Sequence, residues 1–303
     1  SIFSSEIEER RIPLSGATGD GSSAHPFPIA SAKQLYNVRD NVASGVYYKQ
    51  YCDIDLAEYD NFPALGNNTT NFDAKYDGNN YKIINFHQNQ QGADTYAYGL
   101  FGRVYLNASI SNIKLQGIID LSASINLYYV GLLASFATTT ITNCHITGSI
   151  KAKAYNIGGI CGMVDYLTNC SANVNIEALA GSSNVGLMVG EWRRYDYNKC
   201  LAIGKIIGSA DNIGGFIGII KNHPTANKEI KNSYCLANIN MTAATNVGGF
   251  CGKDEHINAD KYSKYTNCYC NTIIEGAGTK KGFLGAKVDG CTSTASGCVW
   301  NAE

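Results

Sequence analysis

The stretch Gly158-Gly159-Ile160-Cys161-Gly162 returns 28 residues later as Gly186-Leu187-Met188-Val189-Gly190, and after another 28 as Gly214-Gly215-Phe216-Ile217-Gly218. Upstream, the same phrase stands at Gly99 to Gly102 (Gly-Leu-Phe-Gly) and from Gly131 (Gly-Leu-Leu-Ala). Downstream it stands at Gly248 to Gly252 (Gly-Gly-Phe-Cys-Gly), with a degraded copy at Gly282 to Gly285. The starting glycines are 32, 27, 28, 28, 34 and 34 residues apart. A second phrase alternates with the first: Ser111-Asn112-Ile113, Thr142-Asn143-Cys144, Thr168-Asn169-Cys170, Asn198-Lys199-Cys200, Lys231-Asn232-Ser233 and Thr266-Asn267-Cys268. Several copies lead into alternating stretches such as Ile146, Gly148, Ile150 or Val174, Ile176. That is the period of a half-buried strand.

A short unit of two or three strands with glycine corners fits one coil of a solenoid. The expected fold is therefore all-β, a right-handed parallel β-helix with an N-terminal capping helix. Propeller blades need about 40–50 residues per repeat, and the leucine-rich frame is absent. Two asparagine columns support stacking. One holds Asn112, Asn143, Asn169, Asn232 and Asn267, broken by Lys199; the other holds Asn156, Asn184, Asn212 and Asn246, each two residues before its glycine. Amides about 4.8 Å apart can hydrogen-bond from coil to coil. The longer units carry polar insertions at Asn222 to Lys228 and Asp254 to Lys264, expected as loops.

The open end of a solenoid needs a cover. Residues 28–45 suit it, with Ser31 as N-cap, Ala32 to Val42 helical, Leu35, Val38 and Val42 on one face, and Gly45 as the stop. Strands are expected near Val46 to Leu56 and Tyr81 to Phe86. The chain then divides into an extended arm (1–24), a cap with the first coils (25–94), the repeats (95–285) and a C-terminal cap (286–303).

These residues resemble a known family. The glycine phrase is similar to the GLUG motif of bacterial and some protist surface proteins. Pro28-Ile29-Ala30-Ser31-Ala32-Lys33-Gln34-Leu35, Asp53-Ile54-Asp55-Leu56 and Tyr76-Asp77-Gly78-Asn79-Asn80-Tyr81-Lys82-Ile83 resemble the segments that precede it in that family. The likeness covers about residues 25–285, with Asn80 where the family usually has glycine and no acid near His25. It implies a pectate-lyase-like β-helix in a large secreted or cell-surface protein, most such domains having no known catalytic role. It also implies that Asp53, Asp55 and Asp77 belong to the cap, where Asp and Gly-Asn set turns.

Charge excludes several classes. Lys+Arg is 24 and Asp+Glu is 25, so no field of one sign draws in nucleic acid or an anionic membrane. No apolar run of about 18 residues is present, so no membrane insertion is expected. The 11 cysteines fall mostly in columns. Cys144, Cys170, Cys200 and Cys268 follow the asparagine column, with Ser233 replacing one, and Cys161 and Cys251 precede a closing glycine. Both columns are expected as small buried residues. Cys291 with Cys298, and Cys235 with Cys270, are candidate disulfides, and an odd count leaves a thiol over. A column does not converge on a tetrahedral metal, so neither a metal nor a cofactor is expected.

No catalytic set is legible. Asp120, Asp165, Glu177, Glu191, Asp196, Asp211 and Glu229 occupy different repeat positions, and the five histidines have no partner spacing. No phosphate loop or nucleophile elbow occurs. The densest polar-aromatic spot is Glu191-Trp192-Arg193-Arg194-Tyr195-Asp196, which makes Trp192, Tyr195, Glu191 and Asp196 candidate carbohydrate contacts beside the plainer reading of a solvated loop. The expectation is a non-catalytic structural or adhesive module, secreted or on a cell surface, whose partners are itself in a filament or surface glycans. The alternative is a polysaccharide-degrading enzyme or phage-tailspike-like depolymerase. Ice binding ranks last, since the Thr138 to Thr140 run does not recur. Sequons stand at Asn67, Asn68, Asn107, Asn169 and Asn240.

Overall fold

A computed structural model of the chain describes residues 19–90, 92–122, 127–223, 227–257, 263–287 and 294–302. It is a parallel β-solenoid of about eight turns, with one short helix near the N-terminus. Two stacks of strands, 15 and 13 among the described residues, run along the axis. Neighbouring coils pair in parallel throughout, as in Ser171–Gly186 against Leu201–Gly214.

The glycine phrases lie over one another. Gly131 pairs with Gly158, Gly158 with Gly186, Gly186 with Gly214, and Gly214 with Gly248. The degraded copy is displaced by one residue: Gly248 pairs with Lys281, and Gly249 donates to the Gly282 carbonyl at 2.8 Å. Close approach explains the glycines. A methyl group on Gly186 would stand 2.3 Å from the Val189 carbonyl oxygen and 2.5 Å from that of Phe216. At the closing glycines, Gly162, Gly190 and Gly218 let the returning strand lie against the backbone of the Tyr129, Asn156 and Asn184 column.

Both asparagine columns form, for different reasons. Asn112, Asn143, Asn169, Asn232 and Asn267 all turn a corner with φ between 51 and 58°, a left-handed conformation that asparagine tolerates better than most residues. Lys199 takes the same conformation at 55°. Asn143 donates to Asn112 Oδ1 at 2.8 Å and Asn169 to Asn143 Oδ1 at 3.0 Å, whereas Asn232 passes Lys199 and donates to Asn198 Oδ1 at 3.1 Å. In the second column Asn156, Asn184 and Asn212 are buried and Asn246 half-buried, each on the strand that ends at its glycine. There Asn184 donates to Asn156, Asn212 to Asn184 and Asn246 to Asn212, each at 2.8 Å. In both columns every amide donates toward the preceding coil.

The cysteine column lines the core. Cys144, Cys170, Cys200 and Cys268 are buried, and each thiol donates to the carbonyl two residues back, at 3.3–3.5 Å. Ser233 makes the same bond from its hydroxyl at 2.8 Å. The expected Cys235–Cys270 disulfide is corrected. Cys235 and Cys270 are in register on neighbouring strands, yet both are free thiols. In-register parallel neighbours point their Cβ atoms the same way about 4.8 Å apart, wider than the ~3.8 Å a disulfide needs. Cys298 is also a free thiol, and Cys291 lies outside the described residues.

At the N-terminus Ser31 caps the helix Ala32–Asn37, its hydroxyl accepting from Gln34 N at 3.1 Å. Gln34 returns the bond to Ala30 N at 2.7 Å, a reciprocal cap. The helix is shorter than expected, because Val38–Asp40 tightens into a 3₁₀ turn. Leu35, Val38 and Val42 are buried as the sequence pattern predicts. The expected strand over Val46 to Leu56 is two, Tyr47–Gln50 and Ile54–Asp55. Residues 1–18 of the expected arm lie outside the described residues.

Candidate functional site

The site with the most distinct geometry is the corner between the strands Val189–Trp192 and Tyr197–Asn198. Register explains why this corner protrudes. Met163 pairs with Glu191, an offset of 28, whereas Leu167 pairs with Tyr197, an offset of 30. The second coil thus holds two extra residues between these points, and they bulge outward. Tyr195 sits at the tip with φ 64°, in the left-handed region that L-residues enter at a cost of about 1–2 kcal/mol. It is 37 % exposed, and its ring stacks on Tyr166 of the preceding coil, centroids 4.3 Å apart and planes 6° apart.

The bulge is tied down from beneath. Trp192 is fully buried, and its indole donates to the Arg194 carbonyl at 3.0 Å. The Arg194 guanidinium donates to Asp165 Oδ2 at 2.7 Å and lies 5.4 Å from the Tyr195 ring centroid. Tyr197 donates its hydroxyl to the Val164 carbonyl at 2.6 Å. On the far side Glu191 is buried and paired with Arg193, which also donates to Tyr129 Oη at 2.6 Å. Burial pushes the Asp165 carboxyl above its ordinary value, with Arg194 and Arg193 pulling the other way.

Trp192 and Glu191 therefore cannot be contact residues. Trp192 packs into the core, while Glu191, on the opposite face of the strand and in register with Met163 of a separate outer cluster, is covered by Arg193. Tyr195 and Asp196 reach solvent as the sequence reading requires. The structure adds Tyr166 and Glu229, which the sequence hid: the bulge shifts Tyr195 out of alignment with Tyr166, and Glu229 comes from the next coil. Glu229 N donates to Asp196 Oδ1 at 3.0 Å. The Glu229 carboxyl is held low by the hydroxyl of Thr266, which donates at 2.8 Å, and by Lys231 and Lys264. Tyr166, Tyr195, Asp196, Asn227, Lys228 and Glu229 enclose a recess of about 270 Å³.

A second arrangement lies on the outer face of the other sheet. Ser171 Oγ is 2.8 Å from His145 Nδ1, and His145 Nε2 is 3.2 Å from Asn143 Oδ1. Burial, then the charge of Lys114, lowers the His145 pKa. Among the described residues no group of three His, Cys, Asp or Glu side chains converges to hold a metal ion. No described helix is long and apolar enough to cross a membrane.

No family model matches the chain, so the GLUG motif stays a resemblance. A sequence relative from Evansella cellulosilytica, named "Putative Gly-rich membrane protein", is 32 % identical over 106 residues, which is 33 % of this chain and 12 % of the relative. The chain thus matches about an eighth of that protein's length. Two solved structures share the fold. A "putative immunoglobulin A1 protease" from Bacteroides ovatus superposes with a TM-score of 0.69 at 23 % identity, covering 94 % of this chain and 86 % of that one. An "IgA1 Protease" superposes with a TM-score of 0.66 at 18 % identity, covering 88 % of this chain and 21 % of that one. The class is thus a β-helix of the architecture found in proteins named IgA1 proteases. Those names overturn the expectation that the chain is not an enzyme, although at these identities the likeness itself shows the fold alone.

Proposed function

We propose that this chain is a β-helical module, secreted or displayed on a cell surface within a larger protein, that binds surface glycans at the Tyr195 corner. The observation that carries this reading is the Tyr166–Tyr195 stack beside the recess. A tyrosine is held exposed in a left-handed conformation by buried partners, and such strain concentrates at functional sites. Aromatic faces stack on the apolar faces of sugars, and Asp196 and Glu229 supply hydroxyl acceptors. The four-part division of the chain made from the sequence belongs to this same proposal. The test is titration of the protein with a polysaccharide panel, followed by Tyr195→Ala. Binding that Tyr195→Ala abolishes supports the reading; retention of full affinity defeats it.

A second reading, peptide hydrolysis, draws on Ser171, His145 and Asn143, a nucleophile–base–orienter sequence of contacts in a chain whose structural neighbours are named proteases. A His145 pKa held low leaves the imidazole neutral, as a general base must be. Labelling by a fluorophosphonate that Ser171→Ala removes supports it; absence of labelling defeats it.

A further inference from the structure

We propose that Asp77 is a positioning residue for Ser171: through Asn112 and Asn143 it holds His145 as the tautomer protonated at Nε2 and leaves Nδ1 bare to take the Ser171 proton. This inference deepens the peptide-hydrolysis reading above and rests on it. A carboxylate only accepts hydrogen bonds, whereas an amide offers an oxygen on one side and an NH2 on the other. Asp77 Oδ1 accepts from Asn79 N and from Asn112 Nδ2, both at 2.8 Å. Asn112 therefore cannot turn its oxygen toward Asp77, and that oxygen faces the next coil. There it accepts from Asn143 Nδ2 at 2.8 Å, and Asn80 Oδ1 lies 3.0 Å from the same nitrogen. Both hydrogens of Asn143 Nδ2 are spent on earlier coils, and Oδ1 is what the side chain has left for His145.

His145 Nε2 lies 3.2 Å from Asn143 Oδ1, which also accepts from Asn169 Nδ2 at 3.0 Å. An amide oxygen has no proton to give, so this bond needs Nε2–H. A neutral imidazole carries a single N–H, so Nδ1 is then a lone pair, and the Ser171 hydroxyl 2.8 Å away donates to it. Burial and the charge of Lys114 disfavour the imidazolium, which has no lone pair to offer. Lys49, the cation beside Asp77, is 4.0 Å from the other oxygen, Oδ2, and stays outside the chain of bonds. Register sets Asp77 two coils before His145, level with Ser111 and then Thr142. In acyl transfer the Ser171 Oγ proton passes to Nδ1 as Oγ bonds the carbonyl carbon. The C–N bond then breaks, the leaving amine takes that proton, and water repeats the sequence to free the serine. The opposite tautomer has its proton on Nδ1 and cannot begin it.

The experiment is nitrogen NMR of the histidine rings in the full labelled chain, which separates Nδ1–H from Nε2–H, run beside fluorophosphonate labelling. In that labelling the Oγ–P bond forms, P–F breaks, fluoride leaves and the serine proton goes to Nδ1. The variants are Asp77→Ser and Asp77→Asn. Both keep an oxygen for Asn79 N, so the turn survives. A serine hydroxyl can also donate to Asn112, which releases the direction of the chain, whereas an asparagine whose oxygen stays on Asn79 N preserves it. Imidazole free in water already leans to Nε2–H, so the reading is the change between variants. The parent and Asp77→Asn should show Nε2–H for His145. In Asp77→Ser the Nδ1–H fraction should rise about tenfold, the usual worth of a hydrogen bond to a charged group, with labelling slowed in proportion to the Nε2–H lost. Nδ1–H in the parent, no change in Asp77→Ser, or an Asp77→Asn that shifts as far as Asp77→Ser overturns the proposal. A parent that takes no label but whose tautomer responds to Asp77→Ser defeats the hydrolysis reading and leaves the hydrogen-bond relay standing.

Discussion

Asn212 donates its side-chain amide to Asn184 Oδ1 at 2.8 Å, and Asn184 does the same to Asn156. Each interior member of this buried column is both donor and acceptor. Asn184→Ala leaves one orphaned group on either side, each costing about 1–3 kcal/mol. The expected loss is about 2–6 kcal/mol, read as a lower denaturant midpoint at unchanged slope. Asn246→Ala, with Asn212 as its single amide neighbour among the described residues, should cost about half as much.

Glycine is required where the phrases stack and optional elsewhere. Gly186→Ala places a methyl 2.3 Å from a backbone oxygen, and no flexible side chain can yield there. The variant should fail to give folded protein. Gly92→Ala meets nothing within 4 Å and should stay within about 0.5 kcal/mol of the parent. Circular dichroism and solubility of the pair check the contrast.

The buried thiols pack and hydrogen-bond within the core. Thermal midpoints with and without a reductant should agree within error. Cys200→Ser should cost less than about 1 kcal/mol, because Ser233 already shows that a hydroxyl fits this column. A thiol reagent should label Cys298, which is partly exposed, well before buried Cys144, Cys170 or Cys200.

Tyr195 sets stability against function. Tyr195→Gly removes about 1–2 kcal/mol of left-handed strain and loses about 0.5–1.5 kcal/mol of stacking with Tyr166. Stability should therefore change by less than about 1 kcal/mol while glycan binding disappears. A variant that unfolds instead would show the tyrosine to be part of the core.

His256 makes stability depend on pH. Its imidazole is buried, and burial, with the charges of Lys228 and His223, lowers its pKa to about 4. The unfolded chain binds this proton near pH 6.5 and the folded chain resists it, so stability rises with pH between those values. Stability should fall as pH drops from about 6.5 through 4, by at most ~1.4 kcal/mol per unit from this group. His256→Gln should flatten that part of the profile in denaturation curves collected from pH 4 to 8.

The stacking of Gly158, Gly186 and Gly214 was legible in the sequence because a solenoid repeats its local chemistry at every coil. The same logic revealed both asparagine columns, although the left-handed turn at Asn143 and Asn169 is a backbone fact that composition does not display. The corner at Tyr195 was legible as a dense polar-aromatic run, and its orientation was not. Strand alternation sends Trp192 into the core and Glu191 to the opposite face, where Arg193 covers it, whereas the two extra residues after them break the repeat and throw Tyr195 out. Cys235 and Cys270 misled because proximity in a column resembles pairing, while parallel register keeps the two Cβ atoms too far apart. Glu229 joins the site from another coil, a relation that only the register reveals.

The one-way sense of the amide columns bears on how the molecule is made. Each Nδ2 reaches back to a coil already synthesised, and each Oδ1 is left facing the coil still to come. A nascent chain leaving the ribosome would therefore find, for each of these asparagines, an acceptor in a coil made before it.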